Sequence, residues 1–421
     1  MLKLSPYCYP EVVSSTHMAE DLNKAFKKAD IHTTVYAPTP CRGVDDATRK
    51  KFSKIKHFQM EEGSIDIYRF SLFREGKNPI LRALRYILCN MIQYHKGKKA
   101  KTVDVVYSAS TPPTQGILCG RVAYKLSKKN KRKIPYVYNL QDIFPDSLVI
   151  SGMTKRGSLI WKIGRKIEDY TYSHADKIIV ISEGFKRNIM AKGVAEDKIV
   201  VVSNWVDLDA VKPVERKENR LFDEFSINRN KFVVLYAGNM GEAQGTEVII
   251  EAAKELLNYD DIQFMIFGGG SRYLDIKDRV KKEKINNVII TELLPLERVS
   301  EVYSMGDVAL ITCKPGMGNA GLPSKTWSIM ACNTPIISSF DIDGDLSDVI
   351  RDSGAGVCVA PGNSHALAEA ILEIYSESKL DKSRNVDIRG YALKTASKDA
   401  CVQKYVDTIV GVLSEKQEYS F

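Results

Sequence analysis

The stretch GMGNAGLPSKTWSIMACNTP, residues 316–335, follows the strand-like run Val308–Thr312 and decides how the rest of the chain reads. It opens as a glycine-rich loop and closes as a short apolar helix. Glycine lets the backbone come close to a ligand. Pro323 suits the start of a helix, where its missing N–H is no loss. Ser324 and Lys325 then fall in the first helical turn, whose free N–H groups favour an anion. A lysine there is unusual, because the helix dipole disfavours a cation at that end. A bound anion would compensate, and a nucleotide-sugar diphosphate has the right charge. The plain alternative is a strand–loop–helix connection with a solvated lysine.

Outward from this stretch the same rhythm repeats. Lys231–Ala237, Ile262–Gly268, Asn287–Thr291, Asp307–Thr312, Pro335–Ser338 and Val357–Ala360 read as strands. Glu247–Leu257, Leu274–Lys284, Leu296–Met305 and His365–Ser376 read as helices between them. The first half has its own series: Leu2–Ser5, Thr33–Ala37, Ile65–Phe70, Val103–Ser108, Ile134–Asn139, Lys177–Ile181 and Ile199–Val202, with helices at His17–Ala29 and Arg156–Ala175. Continuous apolar or β-branched runs of this kind suit parallel strands buried on both faces. The expected fold is α/β, with two doubly wound Rossmann-like domains and a cleft between them. Residues 1–205 form the first and 206–396 the second, and the helical pattern Ser397–Lys416 reaches back to the first.

A chain of 421 residues suffices for two cores. No apolar run is long enough for a spanning helix. Met1–Leu4 reads as a strand cut short, so the true start is expected a few residues upstream. No signal peptide is recognisable, which makes the cytoplasm the expected location. The eight cysteines form no CxxC pair and read as reduced core residues. The net charge of +9 conceals an asymmetry. Residues 1–205 carry 36 Lys and Arg against 19 Asp and Glu, a balance of +17, whereas residues 206–421 carry 25 against 33, a balance of −8. A basic first half suggests an anionic partner, and a membrane surface or nucleic acid would serve. No nucleic-acid-binding module is recognisable, so none is expected to bind.

Ligands of open α/β sheets bind at the carboxyl ends of strands. Three glycine-rich segments of the second half lie at such ends: Gly238–Gly245, Gly268–Gly270 and the opening stretch. Singly each is weak; together they outline a nucleotide-sized site. None matches the dinucleotide fingerprint or the P-loop.

At this point the chain resembles a GT-B glycosyltransferase of family four along nearly its whole length. The segments that carry the resemblance are YCYPEVVSSTHMAEDLNKAF, VYNLQDIFPDSLVISG, ADKIIVISEGFKRNI, DKIVVVSNWVD, LYAGNMGEAQGTEVIIEAAKEL, FMIFGGGSRY, LPSKTWSIMACNTPII and GVCVAPGNSHALAEAI, in the family's order. Within the family it is similar to transferases assembling O-antigen or capsule units, especially those adding acetamido-deoxy sugars such as N-acetylfucosamine. The resemblance implies a retaining transfer from a UDP-sugar to a polyprenyl-diphosphate-linked glycan, without metal or other cofactor, on the inner face of the cytoplasmic membrane. It implies donor contacts at Asn239, Gly241, Gln244, Gly268, Gly269, Gly270, Leu293, Leu294, Asn319, Gly321, Ser324 and Lys325, and the candidates for meeting the diphosphate are the Gly241 N–H, the turn at Gly316–Gly321, Ser324 and Lys325. It implies acceptor or phosphate contacts at Ser14, Ser15 and His17. The family's paired glycines are here Ser14 and Ser15, its E-x7-E glutamates are Ala320 and Ser328, and its diphosphate-clamping arginine and lysine are Asn239 and Gln244. Lys325 is therefore the cation left in these motifs, and with Asp142 it is a candidate catalytic residue.

Asp142 either orients or deprotonates the acceptor hydroxyl, or caps the turn before Pro145. The run Asp341–Asp345 invites a metal reading, but its place in a polar loop favours a solvated turn. Asn78–Tyr94 is amphipathic, with Ile80, Leu84, Ile87, Leu88 and Met91 at helical spacing and Lys96, Lys98, Lys99 and Lys101 beyond. It reads as a helix for an anionic leaflet, or as an ordinary core helix with a basic tail. The competing functions are a UDP-sugar epimerase of the same architecture and a degenerate nucleotide-binding partner of a true transferase.

Overall fold

The structure is a computed structural model describing residues 1–11, 16–76, 78–150, 152–318, 321–380 and 386–414, apart from the side chains of His17, Pro79 and Ile80. It divides into two units, Met1–Asn204 with the segment from Asp399 onward, and Trp205–Lys398.

The first unit is built on eight strands: β1 (Leu2–Leu4), β2 (Thr33–Pro38), β3 (His57–Met60), β4 (Ile65–Phe70), β5 (Val106–Ala109), β6 (Tyr136–Leu140), β7 (Lys177–Val180) and β8 (Ile199–Val201). Their order is β3-β4-β2-β1-β5-β6-β7-β8. All pairings are parallel except β3 with β4. Helices return the chain between parallel neighbours, so central strands are covered on both faces; all five residues of β6 are buried. Every expected strand is present within a few residues. β3 is the addition: a four-residue edge strand whose side chains are exposed or half-buried, giving no apolar signal. The helix expected from Arg156 starts at Leu159, because the Ser158 hydroxyl accepts from Trp161 N–H and caps it. The last helix, Lys398–Ser414, ties to this sheet through buried Tyr405, whose hydroxyl donates to Asn139 Oδ1 at 3.1 Å.

The second unit holds β9 (Phe232–Asn239), β10 (Ile262–Gly269), β11 (Val288–Glu292), β12 (Val308–Thr312), β13 (Ile336–Ser339) and β14 (Gly356–Val359), all parallel, in the order β11-β10-β9-β12-β13-β14. Alternate residues of β9 feed two cores. Val233, Leu235 and Ala237 join one, and Phe232, Val234 and Tyr236 the other. The strand order turns back between β9 and β12, which makes the loops leaving these two strands the switch point of the sheet.

One helix of the first unit, Pro79–Gly97, has its polarity reversed. Arg85, Cys89 and Gln93 are fully buried, while Leu81, Leu84, Ile87 and Met91 are exposed. Leu88 is half-buried. Gln93 Nε2 donates to the carbonyls of Ser5 and Tyr36, both at 2.9 Å, and its oxygen accepts from Gln115 at 3.2 Å. Arg85 Nε donates to Phe73 O at 3.0 Å. The inward line thus serves polar strand ends, and the apolar line faces out. Among the described residues no helix is long and apolar enough to cross a membrane.

Candidate functional site

At the switch point of the second sheet the loop after β9 folds over itself. Gln244 Oε1 accepts from Asn239 Nδ2 at 3.0 Å and from Gly241 N–H at 3.1 Å. The two amides standing where the resemblance places a cationic clamp therefore hold each other. This corrects the expectation for Gly241: its N–H is occupied by Gln244, not turned out to an incoming phosphate. Tyr236 OH donates to Asn239 O at 2.7 Å and fixes the exit from the strand.

The glycines after β10 serve this loop. A Cβ on Gly268 would lie 2.2 Å from Met240 Sδ, and one on Gly270 would lie 2.4 Å from Asn239 Oδ1. A side chain at either position would force Met240 or Asn239 of the β9 loop to shift, so these glycines let that loop nest against β10. Gly269 has ordinary room beside Leu293 Cδ1, at 3.5 Å. Leu293 is itself half exposed and offers a flat apolar surface beside the backbone, whereas Leu294 packs against the core.

The loop after β12 closes the other side. Thr312 Oγ1 donates to Gln244 O at 2.7 Å, and Lys314 N–H donates to Ala243 O at 2.9 Å. Asp341 is no free turn residue. One of its carboxylate oxygens accepts from Gly316 N–H at 3.0 Å and the other from Gly318 N–H at 2.7 Å. It holds the glycine loop in place, a role nothing in its sequence neighbourhood announces. Among the described residues no group of three or more His, Cys, Asp or Glu is arranged to hold a metal ion.

The helix after the glycine loop begins at Lys325, with Ser324 as its exposed N-cap, and runs to Ala331. Gly321 precedes it at φ 130°. The Lys325 side chain turns back over the sheet. Its Nζ donates to Ala237 O at 3.3 Å and sits 4.0 Å from the centroid of the Tyr236 ring. Gly238 leaves room for it: a Cβ there would be 3.1 Å from Nζ. Crowding of the ammonium by protein lowers its pKa to about 7. The lysine is thus a half-charged group beneath the meeting point of the β9 and β12 loops, where an anion would recharge it. Asn319 lies outside the described residues.

In the first unit, exposed Asp142 follows β6, and the protein around its carboxyl pushes the pKa up while a hydrogen bond with Ser147 opposes the rise. Next to it Gln141 Nε2 donates to Asn139 Oδ1 at 2.8 Å, and Asn139 Nδ2 donates to Tyr107 OH at 3.0 Å. This polar chain, with Tyr405, was not legible in the sequence. His17 is the second residue of the helix Thr16–Lys28, its side chain not described; Ser14 and Ser15 lie outside the described residues.

Two Rossmann-like units, one with glycine-rich strand ends gathered at its switch point, define the architecture of the GT-B sugar transferases. Residues 16–210 match the family described as Glycosyltransferase Family 4, and residues 217–391 match Glycosyl transferases group 1. The chain belongs to these GT-B family-four glycosyltransferases and is an enzyme of that class. It is 28% identical to the probable glycosyltransferase WbjE of Pseudomonas aeruginosa over 84% of this chain and 86% of that one. It is 24% identical, with the same coverages, to the putative colanic acid biosynthesis glycosyl transferase WcaI of Escherichia coli K12. In fold it is similar to Anabaena Alr3699/HepE, solved in complex with UDP, with a TM-score of 0.69 at 14% identity over 97% of this chain and 99% of that one.

Proposed function

We propose that this glycosyltransferase moves an N-acetylated amino sugar from a UDP-sugar to a polyprenyl-diphosphate-linked glycan, with retention, in the building of a bacterial surface polysaccharide. The observation that carries the reading is the convergence of the β9, β10 and β12 loops, with Lys325 beneath them, at one switch point. The WcaI name and the UDP complexes of HepE support the substrate classes. In this reading the base lies on Gly269 and Leu293, and the diphosphate meets Gly321, Ser324 and Lys325. The bond from the anomeric carbon to the phosphate oxygen breaks, the acceptor oxygen takes its place, and the hydroxyl proton passes to the departing phosphate. The growing charge on UDP is met by the Lys325 ammonium and by backbone N–H groups. No metal is assigned a part. Asp142 of the first unit orients the acceptor hydroxyl, assisted by Ser14, Ser15 and His17 near the acceptor phosphates.

The test is a panel of UDP-sugars offered with a synthetic lipid-diphosphate-sugar acceptor, with products weighed by mass spectrometry. An acceptor heavier by one sugar residue is expected. A donor converted without any acceptor would instead mark an epimerase, and binding without turnover a degenerate partner.

The reading also places the protein on the inner face of the cytoplasmic membrane. Its support is the outward line Leu81, Leu84, Ile87 and Met91 together with the basic first half. Apolar side chains entering the headgroup region contribute roughly 1.5–3 kcal/mol each when fully buried. Replacing Leu84, Ile87 and Met91 together by Ser should weaken binding to vesicles containing anionic phospholipid at least about tenfold in co-sedimentation. Equal binding by the triple variant would remove the helix from the membrane reading.

A further inference from the structure

The loop after β9 carries an exposed carboxylate, Glu242, immediately beyond Gly241. It receives the Lys314 ammonium at 2.7 Å and lies 3.5 Å from Arg272. Arg272 is also engaged by Glu247 and Asp275. Among the described residues Glu242 is the ion-pair partner of Lys314. The backbone of Lys314 and the base of its side chain are placed independently of that pair. Its backbone N–H donates to Ala243 O, and a Cβ on Gly245 would lie 3.1 Å from its nitrogen and 3.2 Å from its Cγ. The stem of Lys314 therefore crosses the turn that carries Gln244, one of the two positions where the expected cation is missing.

We propose that Lys314, reaching across from the loop after β12, supplies the cation for the donor's diphosphate that Asn239 and Gln244 do not, and that Glu242 holds the ammonium in place until the diphosphate takes over. The inference rests on the donor-site reading above. An exposed ion pair is worth little, so exchanging one carboxylate for a diphosphate costs little. Keeping a long side chain ordered beforehand reduces what binding must spend on ordering it. The hydrogen bond from Lys314 holds the Glu242 carboxyl below its usual range, so it stays ionised as the placeholder. Lys314 would act alongside Lys325, the one paired with Glu242 of the β9 loop and the other set against Ala237 and Tyr236 at the end of β9.

The experiment is calorimetric titration of the whole protein and its variants with UDP and with uridine, which lacks the diphosphate. Lys314→Met should weaken UDP at least about tenfold while leaving uridine unchanged, because a charge-assisted hydrogen bond is worth roughly 1.5–3 kcal/mol. Lys314→Arg should restore most of the loss. Glu242→Gln should tighten UDP by about threefold, by removing the competitor. Equal UDP affinity in wild type and Lys314→Met would overturn the inference and leave the donor site standing. Parallel losses for UDP and uridine would also overturn it, by making Lys314 a structural support of the loop. A wild-type protein that binds no UDP would overturn the donor-site reading, and this inference with it.

Discussion

Lys325→Ala lowers kcat/KM for sugar transfer about 10²- to 10³-fold, the range seen when one donor to a developing oxyanion is removed. The argument rests on where the ammonium lies. It has one carbonyl, Ala237 O, and one ring, Tyr236, as neighbours. Crowding lowers its pKa to about 7, so a large share of the unliganded enzyme carries the neutral amine near neutral pH. Arrival of a diphosphate favours the charged form and draws in a proton. Below pH 7 that proton is already bound; above it, uptake must accompany binding. Donor affinity therefore falls as pH rises above about 7, until other groups titrate. The effect on stability has the opposite sign. Between the folded pKa and the ordinary lysine value the unfolded chain holds more protons, so this group makes folding more favourable as pH rises through that window. Activity against pH in wild type and Lys325→Ala checks both: the variant should lose the rate and also the dependence near pH 7. Full activity in Lys325→Ala would dismiss the diphosphate role.

Glu75→Ala should destabilise the first unit by about 1–2 kcal/mol, because it removes a buried carboxylate and its hydrogen bonds while water partly screens the arginines left behind. The Glu75 side chain is only 6% exposed. It accepts from Arg42 at 2.7 and 3.2 Å and from Tyr7 OH at 2.8 Å, and Arg82 Nε lies 3.1 Å away. Burial alone would raise its pKa, but the bonds from Arg42 and Tyr7 outweigh burial and hold it below the usual glutamate value. A depressed carboxylate pKa means stabilisation that is complete above the unfolded value and lost as pH falls through the folded one. At pH 7 the melting temperature of this unit should drop by roughly 3–6 °C in Glu75→Ala. The difference from wild type should narrow on acidification below about pH 4.5, the ordinary glutamate value. A loss under about 1 kcal/mol at pH 7 would mean the arginines find other partners.

Periodicity carried most of the architecture. The parallel strands are apolar runs with no competing reading, and the segments that join at the switch point of the second sheet are those marked by glycine. What escaped was direction and distance. Lys325 stood in the right helix, but nothing in its neighbourhood said that its tip would fold back over Tyr236 and not extend outward. Asp341 looked like a solvated turn because its acceptors' partners, Gly316 and Gly318, are over twenty residues away. Arg85 and Gln93 defied the rule that the apolar stripe of a helix faces its core. β3 carries no alternation strong enough to stand out from a loop.

The first unit is closed by a helix from the far end of the chain. Tyr405 lies 266 residues beyond its partner Asn139, and about 195 residues separate Asn204 from Asp399, where the first unit resumes. At roughly 5–20 residues per second, ribosomal synthesis of that interval takes about 10–40 s. During it the carboxyl end of β6 lacks its cover, and at its close the second unit, whose core includes Ile388, Ala392 and Ala396, is complete. Translation order thus finishes the later unit before the earlier one. A chain released early, near Lys398, carries an intact second unit beside an unsealed first, and is a natural target for chaperones and proteases until the last turn of the closing helix emerges.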